Sequence, residues 1–139
     1  MSGSKALSHD IGAFVNVQAN PVPTGAAGTV NGAAVDRQDY LSCVLLLTAG
    51  SATGTPSTQT ANAKIQDSAD GSTGWADLTG AAVTELDTDD TESYVDVDLH
   101  AAKRYIRVVQ VLALSGGSSP TWPIASVLVL GGDRVLPVA

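Results

Sequence analysis

The chain predicts an all-β fold: an antiparallel β-sandwich or jelly roll with an extended N-terminal arm. Three observations carry that expectation. Two long runs rich in β-branched residues, 104–114 and 124–131, are joined by a connector of Gly, Ser and Pro. Short segments of alternating polarity precede them, separated by Gly, Pro, Asn and Asp. No segment is a convincing helix. The window 99–114 partly fits a period near 3.6, but Ile106, Val108, Val109 and Val111 have stiff χ1 angles that prefer strands, and Gly116-Gly117 follows.

Taken in order, residues 1–29 are low in charge and punctuated by Gly12, Asn20-Pro21, Pro23, Gly25 and Gly28. Ile11, Ala13, Val15 and Val17 alternate with Gly12, Phe14, Asn16 and Gln18, the pattern of one short strand. With an extended loop over 20–29 and a loose start over 1–7, residues 1–29 read as an arm and 30–139 as the β-sandwich domain. Residues 36–40 are a polar lead-in to 41–48, a nearly continuous apolar run that reads as a strand covered on both faces. Residues 49–60 carry no charge and form a long loop, a kind that tends to be functional or mobile.

Ala61, Ala63 and Ile65 alternate with Asn62, Lys64 and Gln66, as in a half-buried strand. Asp70-Gly71 and Gly74 mark a turn, Trp75 opens a short strand over 75–78, Gly80 closes it, and 82–86 makes a further strand. After the turn 87–90, Val95, Val97 and Leu99 alternate with Tyr94, Asp96 and Asp98, which gives one wet, acidic face. Residues 100–103 turn tightly into the run 104–114. That run and 124–131 are apolar on both strand faces, so both faces should be covered.

A length of 139 residues indicates one domain with enough surface to bury a core. Charged residues make up only 15%, below the roughly 25% of typical domains. A surface of Ser, Thr, Gly, Asn and Gln is common where a protein repeats against copies of itself. The net charge of −7 argues against nucleic acid and anionic membrane as partners, since phosphate binding relies on Lys and Arg. The start lacks the basic-then-apolar design of a signal peptide, and no apolar run approaches ~18 residues, so synthesis in the cytoplasm is expected. Cys43 is the single cysteine, which forbids an internal disulfide, and it reads as a buried small hydrophobe.

Chemistry-bearing constellations are sparse. Asp87, Asp89, Asp90 and Glu92 could offer oxygens to Ca²⁺, although EF-hand spacing is missing and a solvated turn is the plainer reading. Asp67 and Asp70 suit turn geometry through their own backbone hydrogen bonds. Neither His9 nor His100 stands near a Gly-x-Ser-x-Gly elbow, which argues against a nucleophilic triad. Asp96 and Asp98 share a strand face, as paired glycosidase carboxylates can, but lack an aromatic platform for a sugar. Trp75 and Trp122 sit at strand mouths, where Trp usually caps a core while its N–H reaches a partner. No catalytic, cofactor-binding or metal residue is assigned, and an enzyme is not expected.

The stretch Lys64-Ile65-Gln66-Asp67-Ser68-Ala69-Asp70-Gly71-Ser72-Thr73-Gly74-Trp75-Ala76-Asp77-Leu78 resembles a segment of small β-sandwich proteins of tailed bacteriophages: a strand, a Ser/Asp-Gly turn, and a Trp or Phe opening the next strand. Lys103-Arg104-Tyr105-Ile106-Arg107-Val108-Val109-Gln110-Val111 and the 124–131 strand look like its continuation, so the resemblance covers roughly residues 36–132. It implies a structural virion protein, most like a head decoration (cement) protein. Such a protein bridges subunits of the major capsid protein lattice, often as a trimer, on the capsid surface of a virion assembled in the host. The arm would then thread onto the lattice, where ordering it costs about 1–2 kcal/mol per residue. The alternatives are a phage tail or head–tail connection protein, or a carbohydrate-binding β-sandwich module.

Overall fold

The computed structural model describes residues 15–20 and 25–133. Nine strands follow in chain order: β1 (Asn16–Ala19), β2 (Gly28–Asn31), β3 (Val35–Asp36), β4 (Tyr40–Ala49), β5 (Thr58–Ser68), β6 (Ala76–Ala82), β7 (Thr91–Asp98), β8 (Tyr105–Ser115) and β9 (Ile124–Asp133). Every pairing is antiparallel. The first sheet has the order β1-β9-β4-β7 and the second β2-β8-β5-β6, with β3 also paired to β8. Across the core β9 lies over β8, β4 over β5 and β7 over β6, so sequence neighbours face each other. The antiparallel β-sandwich is established. Its connections cross repeatedly between the two sheets.

Strand alternation fills the core. Cys43, Leu45 and Leu47 of β4 and Ile124, Leu128 and Leu130 of β9 point inward from the first sheet. Ala61, Ala63 and Ile65 of β5 and Ile106, Val108 and Leu112 of β8 meet them from the second. Each fully buried Leu or Ile contributes about 1.5–3 kcal/mol of transfer free energy. Burial also pushes the Cys43 thiol up to about 12, which keeps it protonated and inert. One polar pair interrupts the apolar layer: the Ser126 hydroxyl donates to Gln110 Oε1 at 2.6 Å, both residues being fully buried. Gln110 Nε2 has no hydrogen-bond partner among the described residues.

The expected arm is corrected over its described part. β1 pairs with β9 and β2 with β8, so both belong to the sandwich and the 29/30 boundary falls inside a strand. Asn20 explains why this segment is held. Its Nδ2 donates to Ala33 O at 3.0 Å, its Oδ1 accepts from Val108 N at 3.2 Å, and its own N–H donates to Ser126 O at 3.1 Å. Through its backbone and side chain this one buried residue ties the first sheet to the second, and Gly32 must lack a Cβ because a Cβ there would run into Asn20 Oδ1. Residues 1–14, including His9 and most of the expected first strand, lie outside the described residues.

Other boundaries shift for local reasons. The 104–114 run is strand β8, which excludes the helical alternative. The loop expected over 49–60 is shorter because β5 starts at Thr58 in register with Ser115. Its remainder is pinned to the β8–β9 connector: Thr53 N donates to Thr121 O at 2.7 Å, Ser118 N to Gly54 O at 2.8 Å and Ser57 N to Ser115 O at 2.7 Å. Gly54 is needed there, with φ of 77° and Pro120 Cα 2.7 Å from where a Cβ would stand. Over 82–86, Ala82 ends β6 opposite Lys64, Val83 N donates to Ala63 O at 3.0 Å, and Leu86 bridges to Ala61, so this segment extends the β5 pairing instead of forming a separate strand. At the opposite end Arg37 is buried, and its guanidinium donates to Ala102 O and to Lys103 O, the latter at 3.0 Å, which fixes the turn into β8.

Candidate functional site

The acidic turn closes on the protein itself. Asp89 Oδ1 accepts from Gln59 Nε2 at 2.8 Å and from Ala52 N at 3.0 Å, and Ser51 Oγ donates to the Asp90 carboxylate at 3.2 Å. Those bonds hold the Asp89 carboxyl below the usual carboxylate range. Asp87 and Glu92 are exposed beside it. The described residues hold no group of three or more His, Cys, Asp or Glu placed to bind a metal. The turn works as a latch between β7 and the 50–59 segment.

Asp70 likewise organises a turn. Its carboxylate accepts from Ser72 N at 2.9 Å, Thr73 N at 2.8 Å and Thr73 Oγ1 at 2.7 Å, which holds its pKa far below 3.8. Asp67 accepts from Lys103 N at 3.0 Å and joins that turn to the start of β8. His100 is exposed, and its backbone N–H donates to Asp98 Oδ1 at 2.9 Å.

Both tryptophans are occupied. Trp122 is fully buried and its Nε1 donates to Gly50 O at 2.7 Å. Trp75 is half-buried under the Arg107 guanidinium, 4.4 Å from the ring centre. Arg107 also donates to Gln66 Oε1 at 2.8 and 3.0 Å, Gln66 Nε2 donates to Asp77 at 2.9 Å, and Lys64 pairs with Asp77 at 2.9 Å. The outer face of the second sheet is therefore a connected polar network across β8, β5 and β6. The Gln66 and Lys64 bonds lower the Asp77 pKa.

The outer face of the first sheet is built differently. Register places Val17, Val129, Val44 and Asp96 in one cross-strand row, and Ala19, Val127, Leu46 and Tyr94 in the next. Val17 is 61% and Tyr94 68% exposed. Val44, Leu46, Val127 and Val129 are partly exposed, shielded by one another, and no second layer of described residues lies over them. None of β1, β4, β7 or β9 carries a Lys or Arg, whereas β7 presents Glu92, Asp96 and Asp98 outward. A depression of about 500 Å³ crosses this face between Val15 and Asp98, with Ser42 and Gly131 in its lining. Acids along the β7 edge also discourage that edge from pairing with another strand.

Among the described residues the structure gathers no catalytic set from those considered above. It brings Asp96 and Asp98 to the rim of an apolar face instead. That face was visible in the sequence as strands 41–48 and 124–131, apolar at both parities; the identity of what covers it was not. No helix among the described residues is long and apolar enough to cross a membrane.

No protein-family model matches the chain, and no curated protein sequence matches it either. Solved structures give distant likenesses. One is the CBM22-1–GH10 modules of xylanase 10B from Clostridium thermocellum, complexed with xylohexaose: 9% identity, TM-score 0.45, over 91% of this chain and 28% of that one. Another is the Eiger TNF of S. frugiperda, at 8% identity and TM-score 0.39 over 91% of both chains. The chain thus spans under a third of the xylanase structure. Neither likeness bears on function.

Proposed function

We propose that this β-sandwich is a structural attachment module of a tailed-bacteriophage virion, a head decoration protein that bridges major capsid subunits from outside. The observation that carries the reading is the outer face of the first sheet, an apolar surface with an acidic rim and no covering layer among the described residues. The resemblance of residues 64–78 and 103–131 to phage β-sandwich proteins supports the same role. So does the low charge, 15% of residues, which suits a molecule that packs side by side on a lattice. Bridging needs more than one attachment point, and a trimer supplies it.

The carbohydrate-binding alternative has less to stand on, because Trp122 is buried and Arg107 covers Trp75, leaving Tyr94 without an aromatic row. The tail alternative uses the same face on a different lattice. Virions made by the genome that encodes the chain separate these readings. With heads and tails fractionated and the chain quantified by mass spectrometry, decoration requires copies on heads comparable to the major capsid protein. A few copies confined to tails would replace it with the tail reading, and absence from both would end the virion assignment. Light scattering on the purified chain checks the trimer, which a strict monomer at high concentration would remove.

A further inference from the structure

We infer that the outer face of the first sheet docks on an apolar protein patch bearing a Lys or Arg, whose stem lies in the depression over Gly131 and Ser42 and whose cation meets Asp96 and Asp98. The inference rests on the attachment role proposed above and names its contact and the chemistry of its partner. The first argument is the shape of the face. Gly131 pairs with Ser42 and Ser42 with Asp98, so the smallest residues form the floor between Val15 and the β7 rim. Nothing local demands glycine at 131. Its backbone is not left-handed, unlike that of Gly132 with φ of 67°, and a Cβ would stand an ordinary 3.5 Å from Val15 Cγ1. Glycine there leaves space.

The second argument is charge. Asp96 and Asp98 lie two residues apart on one strand face, about 7 Å along the strand, so a single cation can sit between their carboxylates. The ion pairs of the described residues, Lys64–Asp77 and Arg104–Asp36, lie elsewhere. Long basic side chains lay an apolar stem on an apolar surface and keep the charge at its edge, and Val44 and Val129 offer that surface here. A second copy of this chain fits poorly. Among the described residues Lys64 and Arg104 are paired, Arg107 is bonded to Gln66 and stacked on Trp75, and Arg37 is buried, which leaves Lys103, exposed in the turn before β8, as the one cation a copy could offer. With a net charge of −7, copies would also bring acid against acid.

Binding of the full-length protein to expanded heads of the same virion, stripped of this chain, tests the inference. D96K/D98K should weaken affinity at least about tenfold, while D39K/D87K, with the same change in net charge, should stay within about twofold of wild type. Gly131→Val, which fills the depression without touching charge, should also weaken binding about tenfold. Hydroxyl-radical footprinting of the wild type needs no variant to fold: Tyr94 should be oxidised readily in the free protein and protected on heads. Wild-type affinity in D96K/D98K or Gly131→Val, or unprotected Tyr94 on heads, overturns the inference while attachment itself survives. Wild-type protein that ignores heads sinks the attachment role and the inference together. Tyr94 protected in the free protein by the chain's own ends, or in a self-assembly that D96K/D98K dissolves, assigns the face to another occupant and also overturns it.

Discussion

The two outer faces of the sandwich come from strands with the same alternation, yet they are finished in opposite ways. On the second sheet, Lys64, Gln66, Asp77, Arg107 and Trp75 satisfy one another at 2.8–3.0 Å with a cation over a ring. On the first sheet, Val17, Val44, Leu46, Val127, Val129 and Tyr94 stand beside carboxylates with no cation on any of the four strands. A face whose polar groups are mutually satisfied is complete in the isolated molecule. A face of apolar side chains and acids without a cation gains most from contact with something else. The difference teaches that the surface chemistry of a sandwich, more than its fold, separates the structural side from the docking side.

The largest effect expected belongs to neither face and calibrates both. Trp122→Ala empties a fully buried site and removes the indole bond to Gly50 O, and should cost about 3–5 kcal/mol in urea unfolding. On the self-satisfied face, Arg107→Ala removes the Trp75 stack and two hydrogen bonds, and should cost about 1–2 kcal/mol in the same assay. Acid should act on that face next. Asp77 has its pKa lowered from 3.8, so its contribution is present above 3.8 and lost as pH falls through the folded value. Thermal melts at decreasing pH should therefore show Asp77→Asn declining less steeply below 3.8 than wild type. The smallest effect on stability is expected on the docking face: Val17→Ser and Tyr94→Ser, both at exposed positions, should change unfolding free energy by under about 0.5 kcal/mol. A large loss at Tyr94, or none at Arg107, would erase the distinction between the faces.

How far the sequence led depends on the length of each pattern. The alternations in 61–66 and 94–99 and the β-branched runs 104–114 and 124–131 were long enough to read as strands, and β5, β7, β8 and β9 stand there. β2 is four residues and β3 two, too short for alternation to stand out, whereas β1 overlaps the 11–18 alternation that read as one short strand but was placed in an arm. What holds it, Asn20 against Val108 across 88 positions, leaves no local trace. The same holds for the Asp89–Gln59 latch, 30 positions apart, which made the acidic turn look like a calcium candidate. The runs 41–48 and 124–131 were read as covered on both faces. One face packs in the core, whereas the other, among the described residues, is shielded only by its own neighbours. Apolar residues at both parities encode a need for cover without naming its source.

The central claim is that the first sheet faces a lattice. Electron-microscopic density for this chain on the head of its virion tests it most directly. The account predicts β1, β9, β4 and β7 against the capsid, with a Lys or Arg of the shell beside Asp96 and Asp98. Density with the Arg107–Trp75 face against the capsid, or heads without this chain, would contradict it.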